Sequence, residues 1–231
     1  VLLNNGSAIT LTPNATTSIK VGYYIQDDNG CSDINTSSGG TSTIYRSGVS
    51  SNCAVEWRTN ADNLNCYYQV SLQQRATSSC SGTTINVSDT VDIWYFAQAT
   101  DASSSFDAQN WAATAFARDL SNATGSAAAT GIELNTLLAI TVTTSSINYG
   151  TVNASSTTSS TNQLASTTNV GNATATYSVR ASVVLTKGAD TIANSNQRWA
   201  TSSFNMDTDD SLGIGLATST ALSGTAAEIP D

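Results

Sequence analysis

Apolar and polar residues alternate along much of the chain with a period of two, the spacing of a strand that buries one face. In Ser18–Gln26, Ile19, Val21, Tyr23 and Ile25 share one face while Lys20, Gly22, Tyr24 and Gln26 share the other. In 91–98, Val91, Ile93, Tyr95 and Ala97 alternate with Asp92, Trp94, Phe96 and Gln98, so that strand is expected to carry rings on both faces. Residues 175–185 repeat the pattern, with Ala175, Tyr177, Val179, Ala181 and Val183 expected inward. Further strands are expected in "SAITLT" (7–12), "STIYRSG" (42–48), "CYYQVSLQQ" (66–74) and "AAATGIELN" (127–135). "WAATAFARD" (111–119) is alanine-rich enough for a short helix, but Trp111, Ala113, Ala115 and Ala117 also alternate, and a strand is the reading adopted.

Turn-forming Gly, Asn, Asp and Ser separate these segments, and the number of strands before residue 135 is what an immunoglobulin-like sandwich needs. The fold expected is all-β, with two tandem immunoglobulin-like sandwiches at 1–138 and 139–231. The Ser/Thr run from Asn153 to Asn162 has the composition of a linker. An alternating pair, Ile147 and Tyr149, precedes it and a strong strand pattern follows, which places it as a polar connection inside the second domain. That domain is short of strands, and a strand from a continuing chain or from a neighbouring subunit is expected to complete it.

The stretch "TVTTSSINYGTVNASSTTSSTNQLASTTNVGNATATYSVRAS" resembles the Ig-like modules of large bacterial and archaeal cell-surface proteins. In these an "INYG" or "INFG" phrase, a Ser/Thr/Gly loop and a "TTTVTNTGN" phrase lead into an alternating strand. The upstream block, with "DDNGCSDI", "STIYRSGVSSNC" and "DNLNCY", is similar to the companion module that precedes them, notably in surface proteins of candidate-phylum bacteria. The chain departs from the pattern in having "TTNVGN" for "NTGN" and in lacking the strands usual after "NQRW" and "SF". What the resemblance implies is display outside the cell and assembly.

Charge narrows the partners. The net charge is -9, and the eight Lys and Arg do not cluster. Nucleic acid and anionic membrane need concentrated positive charge, so neither is an expected partner. No apolar run has the ~20 residues that span a bilayer, and membrane insertion of this chain is not expected. The first residue is Val, consistent with a processed form or a section of a longer precursor. The expected partner is a second copy, through strand addition or edge pairing, and the expected location is extracellular or at the cell surface. The alternative is a surface adhesin or carbohydrate-binding module with a glycan ligand.

Candidate chemistry is sparse. With no histidine, Ser-His-Asp and Cys-His catalysis and histidine-ligated metal sites are excluded. Lys20 and Lys187 sit in strand and turn contexts unsuited to a desolvated base, and an enzyme is not expected. Two acidic clusters have the oxygen density that calcium requires: Asp27, Asp28, Asn29 and Asp33, and Asp207, Asp209 and Asp210. The same residues are also the commonest turn formers, and the first cluster follows an alternating strand as a turn does. Calcium is the one cofactor considered. Asn-x-Ser/Thr sequons at Asn5, Asn14, Asn35, Asn86, Asn122, Asn153 and Asn172 are glycosylation candidates. Of the four tryptophans, Trp57 lies in the most polar surroundings and is the one a sugar-binding surface would use.

Four cysteines, Cys31, Cys53, Cys66 and Cys80, lack the close spacing of zinc or redox sites and are expected as disulfides. If successive strands run up and down, Cys31 and Cys80 fall at one end and Cys53 and Cys66 at the other. Pairings of Cys31 with Cys80 and of Cys53 with Cys66 are therefore expected, because a crossed pair would have to span the sandwich.

Overall fold

The computed structural model describes residues 1–35, 40–51, 64–70, 76–77, 80–175, 179, 184–200, 202–208 and 214–215. The chain divides into two compact units, Val1–Ala139 with Val170–Ala173, and Ile140–Asn169 with Thr174–Asp231. Regular structure is β throughout, relieved among the described residues only by single turns of 3-10 helix.

Among the described residues unit 1 holds eight strands: β1 (Leu2–Leu3), β2 (Thr16–Gln26), β3 (Gly40–Arg46), β4 (Cys66–Val70), β5 (Ala76–Thr77), β6 (Thr84–Trp94), β7 (Trp111–Arg118) and β8 (Thr124–Ala128). They form two four-stranded antiparallel sheets of order β1-β2-β6-β5 and β4-β3-β7-β8. The inward faces of both sheets contribute to one core. Ile19, Val21 and Tyr23 of β2 and Val87, Val91 and Ile93 of β6 pack with Ile44, Tyr67, Trp111, Ala113 and Ala115 of the second sheet. Each large side chain removed from water in this way contributes about 1.5–3 kcal/mol. Trp111 is wholly buried, and its indole N–H donates to the Gln98 carbonyl at 2.9 Å, so its one polar atom is satisfied inside the core.

Alternation located burial better than pairing. In β2, Ile19, Val21 and Tyr23 are buried as expected, and β7 is a strand with Trp111, Ala113 and Ala115 inward. Three expectations are corrected. Residues 7–12 are not a strand: Ile9 and Leu11 are buried, but the segment lies in the connection from β1 to β2 and makes only an isolated parallel bridge, Ile9 to Leu134, among the described residues. The strand expected at 91–98 starts at Thr84 and stops at Trp94, where Ala97 N–H closes a turn on the Trp94 carbonyl. The strand expected at 127–135 is β8, earlier by three residues. Ala113 pairs with Ala129 and Trp111 with Ile132, so one strand advances two residues while the other advances three. The extra residue is a bulge, and Gly131 sits there because a Cβ would lie 2.6 Å from that of Asn110.

Unit 2 contains three two-stranded antiparallel ribbons among the described residues. β9 (Ile140–Val142) pairs with β10 (Thr167–Asn169), β11 (Leu185–Lys187) with β12 (Asp190–Ile192), and β13 (Arg198–Trp199) with β14 (Ile214–Gly215). Val179, expected inward, is exposed; Tyr177, Ala181 and Val183 lie outside the described residues. The Ser/Thr run is tied down by reciprocal bonds. Asn162 donates to the Phe204 carbonyl at 2.8 Å and accepts from Phe204 N–H at 3.0 Å, and Met206 N–H donates to the Ser159 carbonyl.

Candidate functional site

One end of unit 1 gathers the first acidic cluster and two of the cysteines. Strand β2 ends at Gln26, and the next residues fold as a turn. Asn29 N–H donates to the Asp27 carboxylate at 2.8 Å, Gly30 N–H to the Asp27 carbonyl, and Gly30 takes a φ of 111°. This is the self-bonding that Asp and Asn provide in turns, with glycine where φ is positive. The turn is then stitched to both sheets. Asp27 N–H bonds the Thr83 carbonyl and Cys31 N–H that of Gly82, next to β6. On the other side Leu120 N–H bonds the Asp33 carbonyl, and Asn35 N–H that of Arg118, at the end of β7.

A disulfide fixes the arrangement. Cys31 is joined to Cys80 with Cα atoms 5.6 Å apart, the pairing expected from strand direction. Cys66 is also disulfide-bonded, and Cys53 lies outside the described residues.

The stitching brings Asp119 beside Asp27 and Asp33, with one carboxylate oxygen from each within 4.8 Å of the others. The sequence reading missed Asp119. It ends a strand, and only the antiparallel register that returns β7 to the end where β2 stops reveals its neighbours. Its own carboxylate accepts Ala123 N–H at 2.7 Å, closing the β7–β8 turn, where Asn122 takes a φ of 72°. Asp28 is exposed and outside this group, and Asn29 spends its N–H on Asp27. Of the second acidic cluster, Asp209 and Asp210 lie outside the described residues. Asp207 accepts the Thr157 hydroxyl, and the bonds from Thr157 and Ser159 hold its carboxyl below the usual range.

A groove of about 400 Å³ takes in Asp27 and Asp119 of the trio with Asp28 and Arg118; Ile25, Ile34, Ala117 and Ala123 supply its apolar part, and Thr124 and Gly125 bound it. It lies between two strand edges. β6 pairs along the whole of β2, but β1 covers only Val21 and Gly22 on the opposite side. Among the described residues β8 pairs with β7 alone, and all five of its residues are exposed.

The remaining candidates are scattered. Asn5, Asn14 and Asn122 are in left-handed conformations on turns; Asn86 and Asn153 are exposed, and Asn35 is half-buried. Asn172 differs, because its carboxamide is fully engaged. Nδ2 donates to the carbonyls of Ala97 and Asn135, and Oδ1 accepts Leu137 N–H at 2.6 Å. A glycan on Nδ2 would displace these bonds. Among the tryptophans, Trp111 is core, Trp199 is half-buried, and Trp94 is exposed and stacked on Phe96 at 5.8 Å. Trp57 lies outside the described residues. Among the described residues, no helix is long and apolar enough to cross a membrane.

Comparison with known proteins finds no family model that matches, and no curated protein or solved structure of significant similarity.

Proposed function

We propose that the chain is an extracellular structural subunit that assembles into a filament, pilus-like fibre or surface layer through contacts between sheet edges. The observation that carries this reading is the apolar surface of unit 2. Ile140, Val142, Ile147, Leu185 and Ile192 are each about half exposed, and Leu164 is 80% exposed. Leu185 stands opposite Ile192 across one ribbon, and Ile140 and Val142 share a face of β9, so the exposure comes in adjacent apolar pairs that an associating chain would cover.

Two further features support it. The order β1-β2-β6-β5 against β4-β3-β7-β8 corresponds to A-B-E-D against C′-C-F-G, which favours an immunoglobulin-like reading of unit 1. The Cys31–Cys80 disulfide lies at one end and not across the core, as a staple against unravelling would. Disulfides persist in oxidising surroundings, which favours a place outside the cytoplasm. The role is mechanical: main-chain pairing between copies supplies cohesion, and the stapled core resists unfolding.

Negative-stain microscopy and sedimentation of the purified chain over a wide concentration range test the reading. Ordered polymers or concentration-dependent oligomers are expected. A species that stays monomeric at millimolar concentration overturns it.

A further inference from the structure

Strand β8 lacks the devices by which a free edge is normally protected. Its sequence, Thr-Gly-Ser-Ala-Ala, has no charge, no proline and no bulky side chain. The direction of its main-chain groups follows from the ladder. Ala129 N–H bonds the Ala113 carbonyl, and bonded pairs alternate in an antiparallel ladder. Ala127 with Ala115 and Gly125 with Ala117 are therefore the bonded pairs. The N–H and C=O groups of Thr124, Ser126 and Ala128 point away from the sheet, into solvent.

The same register puts Gly125 and Ala127 on the inward face, the face on which Ala115 is buried, yet both are exposed. A Cβ added at Gly125 meets nothing within 4 Å. Gly125 and Ala127 thus leave an uncharged shelf beside a row of open main-chain bonds, next to a groove whose walls mix Ile25, Ile34 and Ala117 with Asp27, Asp28, Arg118 and Asp119. A strand laid along β8 would satisfy the bonds and place every second side chain on the shelf.

Unit 2 carries a segment with the complementary need. Ser145–Tyr149 make no main-chain to main-chain bond among the described residues. Ile147 and Tyr149, at the period-2 spacing of one strand face, are 47% and 37% exposed. Charge identifies the source as another copy of the chain. Two copies of net charge -9 repel wherever charged surfaces meet. No charged residue occurs between Glu133 and Arg180 or between Asp119 and Glu133, so neither this segment nor β8 itself brings a charge to a contact between copies.

We infer that β8 receives the Ser145–Tyr149 segment of a second copy as an added strand, with Ile147 and Tyr149 seated on the shelf. The inference rests on the assembly reading and names its seam. The contact is heterologous, joining unlike surfaces, so it propagates into open polymers unless the rotation closes a ring.

Ser126→Pro removes one outward N–H and touches no bond to β7, the position at which an edge strand tolerates proline. Ile147→Asp acts on the other partner, outside the fold of unit 1. Each is expected to raise the concentration at which the chain assembles by about tenfold or more, the size of one lost main-chain bond or of a charge set on the shelf. No cysteine among the described residues is free, so copies bearing Ser126→Cys and copies bearing Asn148→Cys should cross-link on mixing, and neither should alone. Wild-type polymers that persist unchanged in both Ser126→Pro and Ile147→Asp overturn this seam and leave the assembly reading standing. A wild type that never associates removes both.

Discussion

The Ser42 hydroxyl of β3 donates to the carboxylate of Asp89 on β6, across the core from one sheet to the other. Both residues are wholly buried, and Tyr23 OH donates to the same oxygen at 3.2 Å. A buried carboxylate is tolerated only where donors replace its water, and here those donors come from β2 and from β3 of the opposite sheet. The clamp therefore depends on, and helps to fix, the register of the two sheets. Asp89→Ala strands two buried hydroxyls and should cost about 2–4 kcal/mol in urea unfolding. Asp89→Asn keeps an acceptor oxygen and should cost less. In a double-mutant cycle Ser42→Ala and Asp89→Ala should couple by about 1 kcal/mol, and strict additivity would mean that the link contributes nothing.

The bond between Cys31 and Cys80 closes a loop across a sequence separation of 49. The chain-entropy account gives about 4 kcal/mol for a loop of that size. It also holds the turn that carries Asp27 and Asp33 against the start of β6. Replacing both cysteines by serine should lower the melting temperature by about 10 °C. Amide exchange should rise most in residues 27–35, where the main-chain bonds to Gly82 and Thr83 lose their anchor. A variant that melts with the wild type would show that those bonds suffice.

How far the sequence could be read follows from what each signal encodes. Period-2 alternation reports which side chains are buried, so Ile19, Val21 and Tyr23, or Trp111, Ala113 and Ala115, were legible. It is silent on partners: Ile9 and Leu11 alternate and are buried, but outside any strand. A one-residue bulge such as that at Thr130–Gly131 is invisible in composition, and it moved β8 toward the N-terminus. The disulfide was legible because strand direction alone puts Cys31 and Cys80 at one end. Asp119 was not, since its approach to Asp27 and Asp33 depends on register between strands far apart in sequence. Asn172 looked like one sequon among seven, and its structural role arises from three main-chain partners no local pattern names.

Tyr67 of β4 lies in the core against the Trp111 ring at 5.9 Å, and its hydroxyl accepts Trp94 N–H at 3.2 Å. Burial pushes its phenol well above the usual value of 10.0, and the Trp94 bond offsets only part of this. The sign of the pH effect follows. Below about pH 10 the phenol is protonated in both states and its contribution is fully present. Above that, the unfolded chain releases the proton while the folded one retains it, so stability falls by about 1.4 kcal/mol per pH unit until the folded phenol also ionises. Unfolding free energies between about pH 9 and pH 11.5 should show this slope, and Tyr67→Phe should reduce it by one proton. At neutral pH the same substitution leaves Trp94 N–H without its acceptor and should cost about 1 kcal/mol. Parallel alkaline slopes in the two proteins would contradict the assignment.

Gly171 and Asn172 secure the return of Val170–Ala173 to unit 1. Asn172 N–H bonds the Leu137 carbonyl, Val170 N–H that of Ala139, and the Asn172 carboxamide adds bonds to Leu137, Ala97 and Asn135. Asn172→Ala should cost about 1–3 kcal/mol through the loss of these bonds. Asn172→Asp is the sharper probe, because it keeps the shape and replaces the two donors by an acceptor facing the Ala97 and Asn135 carbonyls. It should destabilise more than alanine at neutral pH and approach alanine as the new carboxyl protonates in acid. Gly171→Ala tests closeness in place of bonding: a Cβ there would lie 2.1 Å from the Leu137 oxygen and 2.9 Å from Ala139 N, so the two segments must separate. Limited proteolysis should then cut near residues 170–173 while the core of unit 1 resists. Equal resistance in wild type, Asn172→Asp and Gly171→Ala would show that this return contributes nothing to holding the segment.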